Sequence, residues 1–598
     1  LVAQLGGAAI PGIGWAIGQE RIVMLMEKHG LAPQRERPQV YMILAGERTE
    51  IEGFKLAELL RNTWPGLALM GAEPEKVQRS LHALLEAAYK NGMFTNGLPT
   101  IQSDELHSYE EGINCLAQNL ILEFGSPRQL ERTMVTARGV ESVTGINAAG
   151  HRHFRSSYYS GTKIAEEEPW GRSKPYSNLV LQPGQLLVDF NGSPLAKRYM
   201  IELADGLLAH RPPEGSGRPW QPVAIRFADD HEIETTRGYF PWHVFWGAWK
   251  WTGDRKYISP LIDSGLGTLA SVNANVLDLL DQRKPWGERL LAGETVTPTE
   301  TRRPDGRPRA PTAGLRSSAM PHFVWQLNGD KSQLEKLYAA QIEDCAQLEF
   351  INTEGSLWID RVGAPTAELQ RARLGGVALI RNGLYPGHVV SWKFAAPATD
   401  QSVALLVPDA TPTAFKVIAY NLESKPVLAT MTGWNIDPGL WEIVQGTDAN
   451  NDDLADGNPA VRTAPLGRSQ SIDLTLAPAT ATVITFKLKT PGTPYWQRPD
   501  LGLDREDVVV RGREVRVTVH NVGAVEAPAA KVVLKSATGQ VLVSAPTPAL
   551  AAPVDLRPKT AANVSPITTG PALPGGSVEI EPATGLDEIT AMNNTVKL

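Results

Sequence analysis

Residues 228–263 read ADDHEIETTRGYFPWHVFWGAWKWTGDRKYISPLID. Carboxylates, a histidine and an arginine run into an aromatic stretch with helical spacing, and that stretch closes on Gly253 and Asp254. Glycine suits the left-handed residue just past a helix end, and aspartate suits the cap of the helix that follows, so the segment predicts a helical hairpin. The same punctuation recurs as FGSP at 124–127, FNGSP at 190–194 and LNGD at 327–330. Its glycines stand 67, 61 and 76 residues apart (192−125, 253−192, 329−253). Twice a proline follows, a favoured first helical residue. Four copies of one two-helix unit are expected.

Outward from this stretch, the 598 residues call for several domains, because single cores stop growing near roughly 250 to 300 residues. The net charge of −7 is spread through interspersed acids and bases, which argues against a nucleic-acid surface. Two cysteines, Cys115 and Cys345, cannot build a disulfide framework and are expected as buried thiols. Neither a membrane span nor a secretory signal is apparent.

The first residues, LVAQLGGAAIPGIGWAIGQERIVMLM (1–26), resemble the last catalytic-core motif of histidyl-tRNA synthetase, G-(F/W)-A-x-G-x-E-R before an apolar helix. In that family the arginine at the place of Arg21 binds ATP phosphate. RPQVYMILAG (37–46) and FKLAELLRNTW (54–64) resemble the start of the family's anticodon-binding domain, and the likeness stops near Met70. The family's other class II motifs and its histidine-binding segment have no counterpart in the chain. Residues 1–72 are therefore expected as a truncated fragment joined at a gene-fragment junction, with Arg21 solvated or salt-bridged.

From 73 to 385 the texture is amphipathic and helical. Val77, Leu81, Leu84, Leu85 and Tyr89 fall at helical spacing before Gly92, and further helices are expected at 110–124, 195–209, 242–251, 257–280, 317–327 and 331–345. The repeated GS/GD breaks and WHVFWGAWKWTGDRKYI resemble the α/α toroid of six-hairpin glycosidases and many polysaccharide lyases. About four to five hairpins are legible, fewer than a complete ring, and a plain helical solenoid is the alternative.

After about Tyr385 the period changes to two. VALLVP, FKVIAYNL, PVLATMTGW, WEIVQG, SIDLTLAP and TATVITFKLK predict an antiparallel β-sandwich over 386–490, followed by a Pro-rich linker at 491–504. HNVGAVEAP and DEITAMNN, within 505–598, resemble the CARDB family of immunoglobulin-like adhesion modules, which implies an exported or cell-surface life in a bacterium. DANNDDLADG (448–457) has Asp448, Asn450 and Asp452 at alternate positions, but Asp453 stands where an EF-hand needs glycine and Pro459 where it needs glutamate. An acidic turn is expected there.

Three clusters bear chemistry. DELHSYEEGIN (104–114) offers Glu110 and Glu111, either as one wall of a cleft or as acids complementing a helix start. NAAGHRHFRSSYYSG (147–161) offers His151, His153, Arg155, Tyr158 and Tyr159. DDHEIETTRGY (229–239) offers Asp229, Asp230, His231, Glu232, Glu234, Arg237 and Tyr239. Elimination from a uronate sugar needs a cation at the carboxylate, a base for the C5 proton and an acid for the leaving oxygen. Arg155 or Arg237, one of the three histidines, and one of the three tyrosines suit those roles. Glycoside hydrolysis instead needs two carboxyl groups about 5 to 10 Å apart, one from Asp229, Asp230, Glu232 or Glu234 and one from Glu110 or Glu111. Trp170 and Trp251 suit stacking on sugar rings, while Trp242, Trp246 and Trp249 share a helix face suited to core. The HRH pair lacks a spaced third ligand, so no metal and no cofactor is expected. The expected function is cleavage of a uronate-containing polysaccharide by β-elimination, with hydrolysis, or glycan binding and adhesion without catalysis, as alternatives.

Overall fold

The structure, a computed structural model, describes residues 82–83, 85–109, 113–213, 220, 222–234, 240–263, 329–335, 338–339, 367–378, 387–408, 410–511, 514–566 and 574–598. The synthetase-like start and the expected helix at 317–327 lie outside these residues, as do the parts of the expected helices at 257–280 and 331–345 beyond 263 and 339. The described chain mixes helices with many antiparallel sheets, and no closed barrel occurs among the described residues.

Among the described residues six helices of nine residues or more lead: α1 (Asn114–Leu122), α2 (Pro127–Val143), α3 (Gln182–Asn191), α4 (Pro194–Leu208), α5 (Trp242–Thr252) and α6 (Arg255–Asp263). Each packs on the next in sequence. The recurring glycines explain the breaks: Gly125, Gly192, Gly253 and Gly329 all take the left-handed conformation, with φ of 84°, 71°, 70° and 72°. Ser126 then caps α2 by accepting from the Gln129 amide, with Pro127 opening the helix. The shared helix face of the aromatic stretch is interior, for Trp242 and Trp246 are buried and Trp249 packs against the core.

The connections are more ordered than hairpin loops. After α2 the chain forms β1 (Thr144–Ile146), which pairs antiparallel with β2 (Arg152–Phe154). After α4 it forms β3 (Ala224–Arg226), which pairs with β4 (Glu232–Glu234) and also with Arg172–Ser173. Tyr158–Tyr159 pairs with Ser103–Asp104.

From Val390 two antiparallel sheets follow. One orders Val390–Phe394, Val427–Gly433 and Ser471–Leu476; the other orders Val403–Leu406, Ala414–Asn421, Ala481–Pro491, Gly439–Thr447 and Ala460–Leu466. Burial alternates along the strands, as a half-buried sheet requires. Phe415 stacks on Phe486 at 4.2 Å between centroids, with Trp441 against Phe415. Side chains of this size contribute about 1.5 to 3 kcal/mol each when fully buried. This core is continuous with that of the helices. In the acidic turn, the Asp448 carboxylate accepts from the backbone amides of Asn451, Asp452 and Asp453.

The last unit has two antiparallel sheets around its own core of Leu501, Val517, Val532, Val578 and neighbours. The stretch read as a linker is built into this junction: Tyr495, Arg498, Asp500, Leu501 and Leu503 are buried. The helices rest on the same unit. Asp504 accepts from Ser126 Oγ and the Arg128 amide at the start of α2, and Asn593 donates to the Gly125 carbonyl. A carboxylate at a helix start is favoured by the helix dipole. No helix among the described residues is long and apolar enough to cross a membrane.

Candidate metal centre

The second and third sequence clusters meet. In β2 and the residue before it, His151 and His153 are separated by one residue, so both imidazoles leave the same face of the strand while Arg152 leaves the other and ion-pairs with Glu202. Opposite them, the turn joining β3 to β4 carries Asp230, whose φ of 61° is left-handed, a conformation aspartate tolerates better than most residues. The turn is braced by an ion pair of Arg226 with Asp229.

Asp230 is the hub. Its Oδ2 lies 2.8 Å from His151 Nδ1 and 3.3 Å from His210 Nε2, and its Oδ1 lies 3.4 Å from His153 Nε2. His210, just past the end of α4, is a partner that the sequence reading missed. Nothing in its surroundings, LLAHRP, has ligand spacing; only the packing of α4 against β2 brings it to the pair. The three rings stand 5.6 to 6.2 Å apart, and one donor atom from each of the four residues lies within 4.8 Å of all the others.

A tetrahedral zinc with bonds of ~2.0–2.1 Å holds its donors ~3.4 Å apart; the His210 and His153 contacts with Asp230 have that spacing, on different carboxylate oxygens, while His151 sits at hydrogen-bond distance. Three nitrogens and one carboxylate oxygen are also a donor set that zinc takes. His153 is 1% exposed, and neither of its nitrogens has a hydrogen-bond partner; nor does His210 Nε2. Burial pushes the His153 imidazole down to about 4, with His210 and His151 adding to it against the pull of Asp230, so the ring is a neutral ligand at neutral pH. Burial works against ionisation of Asp230, but Asn147, His151 and His210 outweigh it and hold the carboxyl below its ordinary value. Supporting contacts complete the arrangement: Asn147 Nδ2 donates to Asp230, and His210 Nδ1 lies 3.4 Å from Glu232. Such outer partners fix the orientation of ligating rings.

The other expected site residues fare differently. His231 is exposed and stands outside the cluster. Tyr159 is fully buried, which pushes its hydroxyl pKa further up. Tyr158 is half-buried and stacks on Trp170 at 4.7 Å and 29°. Arg155 is ion-paired with Glu166, and Trp251 donates to Asp189 from within the helix packing. Glu110, Glu111, Arg237 and Tyr239 lie outside the described residues, as does the side chain of Glu234.

No family model matches the chain. Over 93 residues it is 38% identical to the histidine–tRNA ligase of Caldicellulosiruptor saccharolyticus, covering 15% of this chain. The matched segment spans about a fifth, 21%, of that protein's length.

Proposed function

We propose that the cluster of His151, His153, His210 and Asp230 binds a zinc ion, in a chain that cleaves a uronate-containing glycan. The observation that carries the metal reading is the convergence of three imidazoles on one carboxylate, with His153 buried and facing Asp230 at 3.4 Å without a well-formed hydrogen bond. A buried polar group without a partner is costly, and an ion at this point would satisfy both rings. Four protein donors leave no open position, so the ion ties the β1–β2 hairpin, the end of α4 and the β3–β4 turn together rather than activating water.

The glycan reading rests on the sequence likeness of 73–385 to a toroid and of 505–598 to an adhesion module, beside which the structure has two-helix units with left-handed glycine breaks and antiparallel sheets. The half-exposed Trp170, backed by Tyr158, offers a sugar-stacking face near the metal cluster in sequence. With His151 and His153 given to the ion, elimination keeps the exposed His231 as its base candidate and stays the leading chemistry, with carboxylate-pair hydrolysis the alternative. Incubation with uronic-acid polysaccharides separates them. New absorbance at the unsaturated-product band supports elimination, reducing ends without it support hydrolysis, and neither leaves binding alone. Metal analysis of the purified protein tests the ion: less than about 0.2 zinc per chain after equilibration with zinc and desalting rejects it.

A further inference from the structure

Away from the metal cluster, a groove of about 700 Å³ runs between the middle sheets and the final unit. Its size falls within the range of ligand sites, roughly 300 to 1,000 Å³. Two guanidiniums line it, and so do two carboxylates, the exposed Asp587 at its edge and the half-buried Glu588. Arg498 is 7% exposed, yet its partners are carbonyls: Nε donates to Thr493 at 2.7 Å and Nη1 to Glu588 at 3.1 Å. Arg468 likewise donates from Nη1 to the Asp189 carbonyl at 2.6 Å. Among the described residues the hydrogen-bond acceptors of both guanidiniums are backbone carbonyls, although Asp437 is close enough to feel the charge of Arg468. Buried charges are ordinarily paired, so Arg498 stands as a cation awaiting an anion. Both guanidiniums lie over the Tyr495 ring, with 4.2 Å for Arg468 and 5.3 Å for Arg498, which fixes their positions.

A second observation points the same way. Asn594 lines the groove, is 8% exposed, and its Oδ1 has no partner, while its Nδ2 donates to Glu588. The Glu588 carboxylate is in turn used by the Leu501 amide and Asn594, so it does not neutralise the arginines. Gln470 at the rim adds an exposed amide. Guanidiniums for carboxylates and amides for hydroxyls match a sugar acid, whose hydroxyls occur at nearly every carbon, better than an acidic peptide.

We propose that this groove binds a short carboxylate-bearing oligosaccharide, a holding site separate from the place of cleavage. The inference rests on the acidic-glycan part of the reading above. Its test is calorimetric titration of the full chain with trigalacturonate, a neutral trisaccharide and a hexaglutamate peptide. Trigalacturonate is expected to bind at one site, with Arg498→Ala weakening it at least about tenfold and Gln470→Glu at least about threefold. The second change sits on the exposed rim, where it adds a repelling charge without disturbing the core. The neutral sugar and the peptide are expected to bind at least about tenfold more weakly. Absence of trigalacturonate binding, an affinity unchanged in both variants, or equal binding of hexaglutamate overturns the proposal. Cleavage of polymeric uronate without groove binding retires the groove and leaves the enzymatic reading standing. Groove binding without cleavage retires the enzymatic reading and keeps the groove.

Discussion

His520 Nδ1 lies 2.6 Å from Glu131 Oε1, joining a strand of the final unit to helix α2, and His520 Nε2 lies 3.0 Å from Asp507. Burial pushes this imidazole down, but hydrogen bonds to Asp507 and Glu131 more than reverse it and raise the pKa to about 10. A histidine raised in the fold contributes stability that is full below its unfolded value of 6.5 and is lost as pH rises through about 10. His520→Gln is therefore expected to cost about 3 to 5 kcal/mol near pH 6, the scale of a broken buried pair, and much less near pH 10. Thermal midpoints of both proteins across that range check it; a difference that does not shrink with rising pH contradicts it.

At the acid end the sign reverses for His388. Burial, aided by Arg468, pushes its imidazole down to about 3, so the ring is neutral in the fold while the unfolded chain takes up a proton below 6.5. Its contribution is present above pH 6.5 and is lost as pH falls toward 3. Relative to His388→Phe, the parent protein should lose about 1.4 kcal/mol per pH unit between pH 6 and 4. Chemical denaturation of the pair at several pH values gives this slope, and parallel curves would refute it.

The metal cluster predicts a graded response. Asp230→Asn and His153→Ala should each abolish stoichiometric zinc, whereas Glu232→Gln, which alters only the outer partner of His210, should weaken zinc by about 10- to 100-fold. Competition against a chromophoric chelator measures all three. At zinc one hundred times its dissociation constant, the parent protein gains about 2.7 kcal/mol over the metal-stripped form. A thermal midpoint indifferent to zinc would count against the site.

Two of the recurring glycines separate backbone strain from contact. A Cβ at Gly253 meets nothing within 4 Å, so Gly253→Ala carries only the left-handed strain, about 1 to 2 kcal/mol. At Gly192 the added carbon would stand 2.7 Å from the Trp496 Cβ, and crowding of that kind adds a further ~1–3 kcal/mol. Melting of the two variants side by side should place Gly192→Ala clearly lower.

What was legible in the sequence was local. Glycine, serine, aspartate and proline at helix ends carry their reason within a few residues, and all four glycines of the repeated break are left-handed as that chemistry requires. Period-two alternation located the strands from Val390 onward for the same reason. The histidine cluster was not legible as a metal site: HRH shows two histidines one residue apart, but without a spaced third ligand no metal is expected from it, and His210 and Asp230 join it only through packing across 50 residues or more. The short strands of β1 to β4 were read as loop because two or three paired residues leave no periodicity. Proline content makes residues 491–504 read as a linker, and does not reveal that Asp500 and Leu501 are buried against Thr590, Asn593 and Glu588 of the final unit.

That buried passage has a mechanical consequence. Tyr495, Asp500 and Leu503 are inside the junction and Asp504 is seated on the start of α2, so this passage is packed in place between the middle and final sheets. Tension applied to the last unit would run directly into helix α2, whose far end leads into the β1–β2 hairpin that carries His153. The final unit would then serve as a stiff handle, setting the orientation of everything ahead of it.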